Sequence, residues 1–227
     1  MSLILNIDTA TESAHVSIAR DGQVLNSSQN ESQKDHGSFL QPAIQQLCRD
    51  SKIELKDIDA IAVIGGPGSY TGLRVGLASA KGLCYALSKP LIMLNTLEVL
   101  TASAFSIIGD HSINTSTLFC PMIDARRMEV FTAIYDDQLA EMLTPCAMIL
   151  DEHSFHDQLK SKIIFFGSGS AKWKAICNDT NALFETVPIK PEAMSSLSFT
   201  RLSLSKFNDA AYSEPFYLKE FQTVTKR

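Results

Sequence analysis

The sequence is short of paired cysteines and of positive charge, and it has no long apolar run. Its five cysteines (Cys48, Cys84, Cys120, Cys146 and Cys177) are odd in number, and each lies more than 25 positions from the next. That spacing excludes CxxC redox motifs and paired zinc knuckles, and it fits a reducing compartment with unlinked thiols. Lysine and arginine total 20 against 25 aspartates and glutamates, a formal net charge of −5. A protein that holds a nucleic-acid backbone unaided usually carries a basic stripe. None is visible, so nucleic acid is expected only through a partner. No stretch approaches about 18 unbroken apolar residues, which argues against a membrane span. The opening Met1-Ser2-Leu3-Ile4-Leu5-Asn6-Ile7-Asp8 has no basic segment and puts a carboxylate where a secretory leader would stay apolar. A cytoplasmic protein is expected.

What is present is an ordinary globule: 227 residues, 45% hydrophobic and 20% charged, enough for one large domain or two small ones. The pattern opens with three strands, Leu3 to Ile7, residues 14 to 20 and Gln23 to Gln29, the last two joined by an Asp21-Gly22 hairpin signal. His36 to Asp50 reads helical, with Asp35 as its cap and Pro42 marking a start nearer residue 40. Ile58 to Ile64 is a strand apolar enough to be buried on both faces. A glycine-rich segment follows, then a helix to about Leu87, a strand from Pro90 to Leu94 and a helix from Thr96 to Phe105 with Thr96 as cap.

Ile108 to Thr117 is polar and poorly patterned, a plausible boundary. A second set of elements follows: strands at Leu118 to Ile123 and Val130 to Tyr135, a helix near Asp151 to Lys160, a strand at Ile163 to Phe166, a helix through Ile176 and another over 193–207. Mixed strands with helices between them indicate an α/β fold, and the partial repeat suggests a duplicated architecture. The division predicted is residues 1–107 and 108–227.

Gly65-Gly66-Pro67-Gly68-Ser69-Tyr70-Thr71-Gly72 sits after a buried strand and before a helix, where a phosphate-cradling loop would be. Its third glycine falls one residue late for G-x-G-x-x-G, and no Gly-Lys-Ser/Thr triplet exists. Either it is a tight turn, or Gly66, Gly68, Ser69, Thr71 and Gly72 form an anion or nucleotide loop. In the next helix Gly72, Gly76 and Ala80 share one stripe and Leu73, Leu77 and Cys84 another. Interior glycines cost ~1 kcal/mol each against alanine, so this helix is expected to be half core and half interface.

Asp8 ends the first strand where an actin-like ATP site would place a metal-ordering carboxylate, but Ala10 stands where such a site needs glycine. Asp8 therefore reads as a turn-capping carboxylate. His36 would need a second ligand four residues on to grip a metal, and that residue is Leu40. No metal site and no catalytic residue is expected. Ser168 lacks the G-x-S-x-G elbow. Arg126-Arg127 is a basic pair between two strands, suited to an acidic partner or phosphate.

Taken together, Ile4 to Thr11, His36-Gly-Ser-Phe-Leu-Gln-Pro42, Gly65 to Gly76 and Asp124-Ala-Arg-Arg127 resemble the TsaB (YeaZ) family. The resemblance is close over residues 1 to about 135 and loose beyond. This family serves the threonylcarbamoyl modification of adenosine 37 in tRNAs that read codons beginning with A. The resemblance implies a two-lobed actin-like (ribonuclease H-like, ASKHA) fold. It also implies a non-catalytic subunit that pairs with the TsaD-type paralogue, is joined by the TsaE-type ATPase, and forms a homodimer when alone. ATP and metal would then belong to the partner subunits, with tRNA reached only through the complex. Pairing would run through the first-lobe helices, with Phe39, Leu40, Ala43, Leu73, Gly76, Leu77 and Ala80 facing outward. The rival expectation is an active actin-like ATP-dependent small-molecule kinase or ATPase.

Overall fold

The computed structural model describes residues 1–32, 35–108 and 117–219. The chain divides into two compact units, one built from Met1–Ile113 with Val187–Pro215 and the other from Asn114–Thr186 with Phe216–Arg227. The boundary expected at Ile108–Thr117 falls almost wholly outside the described residues.

The first unit holds a five-stranded sheet in the order β3-β2-β1-β4-β5. Its strands are β1 (Leu3–Asp8), β2 (Ala14–Arg20), β3 (Gln23–Asn30), β4 (Ala60–Gly66) and β5 (Leu91–Asn95). The first three are antiparallel, and β4 and β5 join in parallel. The hairpin at Asp21-Gly22 forms with both residues at positive φ (49° and 83°), the backbone that dipeptide favours.

Alternation along β1 sends its side chains to two different cores. Leu5 and Ile7 pack with Val16, Ile18, Ile61 and Val63 under helices α1 (His36–Ser51) and α2 (Tyr70–Leu87). Ile4 packs on the other face with Ala62, Ile64 and Ile92, under α3 (Thr96–Ile108). Each large aliphatic side chain buried here contributes roughly 1.5–3 kcal/mol.

A further helix, α5 (Pro191–Ser203), covers that second face too. Residues 108–227 therefore do not form one lobe, because the segment from Val187 to Pro215 returns to the first unit. Met194 is buried against Ile4 and Val99, with Leu197, Phe199 and Leu202 half-buried beside it. Polar links fix it: Asn6 donates to Ser195 Oγ (3.2 Å), Arg201 Nη2 meets both Glu98 oxygens (2.9 and 3.0 Å), and Asn208 bridges the edge strand at Leu91.

Several local expectations are corrected. Helix α1 starts at His36 with Pro42 inside it, and Asp35 makes no side-chain capping bond. Thr96 donates its hydroxyl to Pro67 O (2.6 Å), and Asn95 Oδ1 accepts the Leu97 N–H in the capping role.

The second unit holds the sheet β10-β9-β6-β7-β8, made of β6 (Leu118–Asp124), β7 (Glu129–Tyr135), β8 (Glu141–Ile149), β9 (Ile163–Phe166) and β10 (Ala182–Phe184). Trp173 of the short helix α4 (Ser170–Lys174) packs with Phe155 and Phe165 at centroid distances of 5.5 and 6.2 Å. The helix expected over Asp151 to Lys160 is a run of turns ending in a 3-10 turn at Gln158–Lys160, and α4 stops short of Ile176. Strands β8 and β10 are additions to the sequence reading. No helix among the described residues is long and apolar enough to cross a membrane.

Of the seven residues expected to face outward, Leu40, Ala43, Leu73, Gly76, Leu77 and Ala80 are buried within the chain, and Phe39 is half-buried. The sheet needs a cover, and these side chains supply it. Leu77→Glu should therefore unfold the first unit, costing about 4 kcal/mol or more, since it buries an unpaired charge. Denaturant titration checks this, and a variant as stable as the parent would mean that Leu77 faces solvent.

Candidate functional site

The site grows from the end of β1, where the chain turns across the sheet and meets the start of α2. Thr9 and Ala10 are fully buried. Thr9 donates its hydroxyl to Gly72 O (2.7 Å), and Ala10 O accepts the Ser69 N–H (2.7 Å). A side chain at Gly68 would strike Ala10 O, one at Gly72 would strike Thr9 O, and one at Gly76 would strike Thr9 Oγ1. Gly68 and Gly72 are thus explained by main chain passing main chain, and Gly76 by the Thr9 hydroxyl, uses of glycine that need no ligand.

The expected anion loop is arranged around that joint. Ser69 Oγ caps α2 by accepting the Gly72 N–H (3.3 Å), so the N–H groups of Ser69 and Gly72 are both engaged within the chain. Gly66 takes φ 122°, a backbone open to glycine, and Thr71 is exposed on the first turn of α2. The carbonyls of Thr9 and Ala10 point at this loop and oppose an anion there.

Asp8 is buried to 1% exposure, and its Oδ1 accepts the Ala10 N–H (2.9 Å) while Oδ2 has no partner among the described residues. Burial pushes its carboxyl up from 3.8 to about 7, and the Ala10 hydrogen bond only partly opposes this. Its cross-strand neighbour is His15, whose imidazole is held below its ordinary range first by burial and then by the nearby His36.

His36, at 4% exposure, lies within 3.0 Å of Thr11 O through Nε2. It ties the first turn of α1 to the loop after β1. Leu40, four residues on, is wholly buried in the core, so a second ligand has no place on that face. Among the described residues no group of three His, Cys, Asp or Glu side chains could hold a metal ion.

What α2 does present outward is a different stripe. Tyr70, Thr71, Arg74, Ala78, Gly82 and Tyr85 are exposed, with Tyr85 at 89% and the Arg74 guanidinium 4.0 Å over the Tyr70 ring. Gly82 has nothing within 4 Å of where its Cβ would be, so no contact within the chain accounts for it. Arg74 was the available signal: a charge on an apolar helix marks the solvent face, and Ala78, Gly82 and Tyr85 follow in phase.

Comparison with known proteins agrees with this geometry. The family described as TsaD, tRNA N6-adenosine threonylcarbamoyltransferase, matches residues 23–213. The chain is 28% identical over 228 residues to "tRNA threonylcarbamoyladenosine biosynthesis protein TsaB" of Escherichia coli, covering 95% of this chain and 94% of that one. It is 29% identical over 180 residues to the protein of that name in Bacillus subtilis, covering 78% and 75%. The chain belongs to the TsaB (YeaZ) family. The solved structure of YeaZ from Pseudomonas aeruginosa shares the fold at a TM-score of 0.78 and 24% identity, covering 96% of this chain and all of that one. The two mixed β-sheets flanked by helices, together with the family match, place this TsaB-family chain in the two-lobed actin-like α/β class.

The joint, the exposed stripe of α2 and Asp8 each yield a testable substitution. Gly72→Ala should cost roughly 1–3 kcal/mol, because the backbone carbonyl it meets cannot move freely. Gly82→Ala should stabilise the isolated chain by up to ~1 kcal/mol; thermal melts of the pair would show opposite signs. The raised Asp8 carboxyl makes the folded chain the better proton binder. The stability this gives is present below about pH 4 and is lost as pH rises through about 7. Asp8→Asn should flatten that dependence, so that denaturation at pH 5 and pH 8 gives similar stabilities; an unchanged slope would remove Asp8 as its source.

Proposed function

We propose that this chain is the non-catalytic partner subunit of threonylcarbamoyladenosine formation in tRNA, pairing with a TsaD-type paralogue and assembling with a TsaE-type ATPase. The observation that supports the reading is the filled space at the end of β1 beside an exposed stripe on α2. His36 has Leu40 where a second metal ligand would stand, and the Thr9–Ala10 main chain occupies the approach to the glycine loop. Meanwhile α2 keeps Ala78, Gly82 and Tyr85 exposed, small residues that admit a second helix closely and an aromatic that can anchor it.

On this reading ATP and metal belong to the partner subunits, and the chain contributes shape. The same face pairs two copies of the chain when the paralogue is absent. tRNA is met by the assembled complex, in keeping with a net charge of −5. The anchors are the solvent-facing residues of α2 together with half-buried Phe39 of α1, in place of the buried set.

Ala78→Glu tests the assignment, since an exposed substitution leaves stability within about 0.5 kcal/mol. Copurification with the TsaD-type partner should be lost while the melting temperature is kept, and reconstituted threonylcarbamoyladenosine formation should fall with it. Unchanged copurification and activity would reject the face.

A further inference from the structure

The hairpin between β6 and β7 breaks a local rule. Arg126 and Arg127 both lie in the left-handed region, at φ 68° and 48°, where asparagine and glycine are the residues at home. Both are exposed, and among the described residues neither takes part in an ion pair.

The neighbouring carboxylates are already matched. Asp124 Oδ1 accepts from Lys172 Nζ (2.7 Å) and from the Arg126 N–H (2.6 Å), and Glu129 Oε2 accepts from Lys219 Nζ (2.6 Å). Partial burial would raise the Asp124 carboxyl, but these donors outweigh it and hold it below its ordinary range, so the pair with Lys172 stays charged. Among the described residues the two guanidiniums have no ion-pair partner.

The backbone that carries them is pinned. Ala125 N–H donates to Glu129 O and Glu129 N–H to Arg126 O (both 3.1 Å), while Asp124 N–H donates to Ser168 Oγ (3.1 Å). Gly169 packs so tightly beneath that a Cβ there would strike Val130. This accounts for Gly169 as a brace for the hairpin, while Gly167 takes a positive φ of 93°. A disfavoured backbone with no return inside the chain points to a ligand outside it.

We propose that the Arg126–Arg127 hairpin is a contact for the phosphate backbone of RNA, made when the chain is assembled with its partners. This rests on the reading above, and it names the part of this chain that meets the tRNA. Planar guanidiniums take phosphate oxygens in bidentate fashion, a short-range contact that an acidic chain can offer without a basic stripe. An acidic protein segment would share that chemistry, but a protein interface draws its energy from buried aromatic or aliphatic anchors, and Met128, 39% exposed, is the one large apolar side chain the hairpin offers.

The test uses the full chain assembled with its TsaD-type and TsaE-type partners, and an unmodified transcript of a tRNA that reads codons beginning with A. The double variant Arg126→Asn with Arg127→Gly removes both charges and suits the left-handed backbone, so its melting temperature should stay level or rise. We expect the complex to assemble with unchanged stoichiometry. The plot of log affinity for the transcript against log salt should become shallower by about 1 to 2, and kcat/KM for the transcript should fall about tenfold. A variant pairing Arg126→Lys with Arg127→Lys should fall between the two. Unchanged affinity and salt slope in an intact complex would overturn the proposal. Loss of assembly by the double variant would overturn it in favour of an acidic protein partner. Failure of the unsubstituted chain to assemble would instead reject the function reading itself.

Discussion

The main chain at Thr9 and Ala10 lies directly against the first two turns of α2, and the arrangement of the first unit follows from that contact. It needs glycine at residues 68, 72 and 76, because a Cβ at any of them would strike Thr9 or Ala10. It sets the height at which α2 crosses the sheet, and so it puts Leu77, Ala80 and Cys84 into the core beneath. It also decides which side of α2 is left for anything else. The hydrogen bonds from Thr9 Oγ1 to Gly72 O and from Ser69 N–H to Ala10 O lock the same register from both directions.

That contact also separates the glycine segment of this chain from a phosphate loop. A phosphate loop works through unpaired N–H groups at a helix start, next to glycines that let the ligand come close. Here the glycines let the protein's own backbone come close, and two of the loop's N–H groups are taken up by Ala10 O and Ser69 Oγ. Asp8 lies behind that contact, its carboxyl raised by burial to about 7. The outward stripe of the same helix, with Ala78, Gly82 and Tyr85 exposed, takes no part in that packing.

Much of this was legible in the residues. The strand periodicity of β1 and β2, the Asp21-Gly22 turn and the doubly buried β4 follow from apolar spacing alone, and the missing ligand at Leu40 is read by counting four from His36. The faces of α1 and α2 were not legible in the same way. Gly72, Gly76 and Leu77 look like an interface stripe because small and apolar residues suit a partner helix and a core equally well, and only the position of Thr9 separates the two. The return of Val187–Pro215 to the first unit was hidden for a related reason. The apolar side chains of α5 are irregularly spaced, and the links that hold it, such as Asn6 to Ser195 across 189 positions, leave no local trace. The strands β8 and β10 are edge strands in which no residue is fully buried, so their hydrophobic signal is weak.

The central claim is that this chain acts by docking its first-unit helices onto a partner that does the chemistry. Hydrogen exchange of the full chain, alone and with its TsaD-type partner, tests it most directly. The account predicts slowed exchange concentrated in Tyr70–Leu87 and His36–Ser51. Protection confined to the second unit, or none on adding the partner, would contradict it.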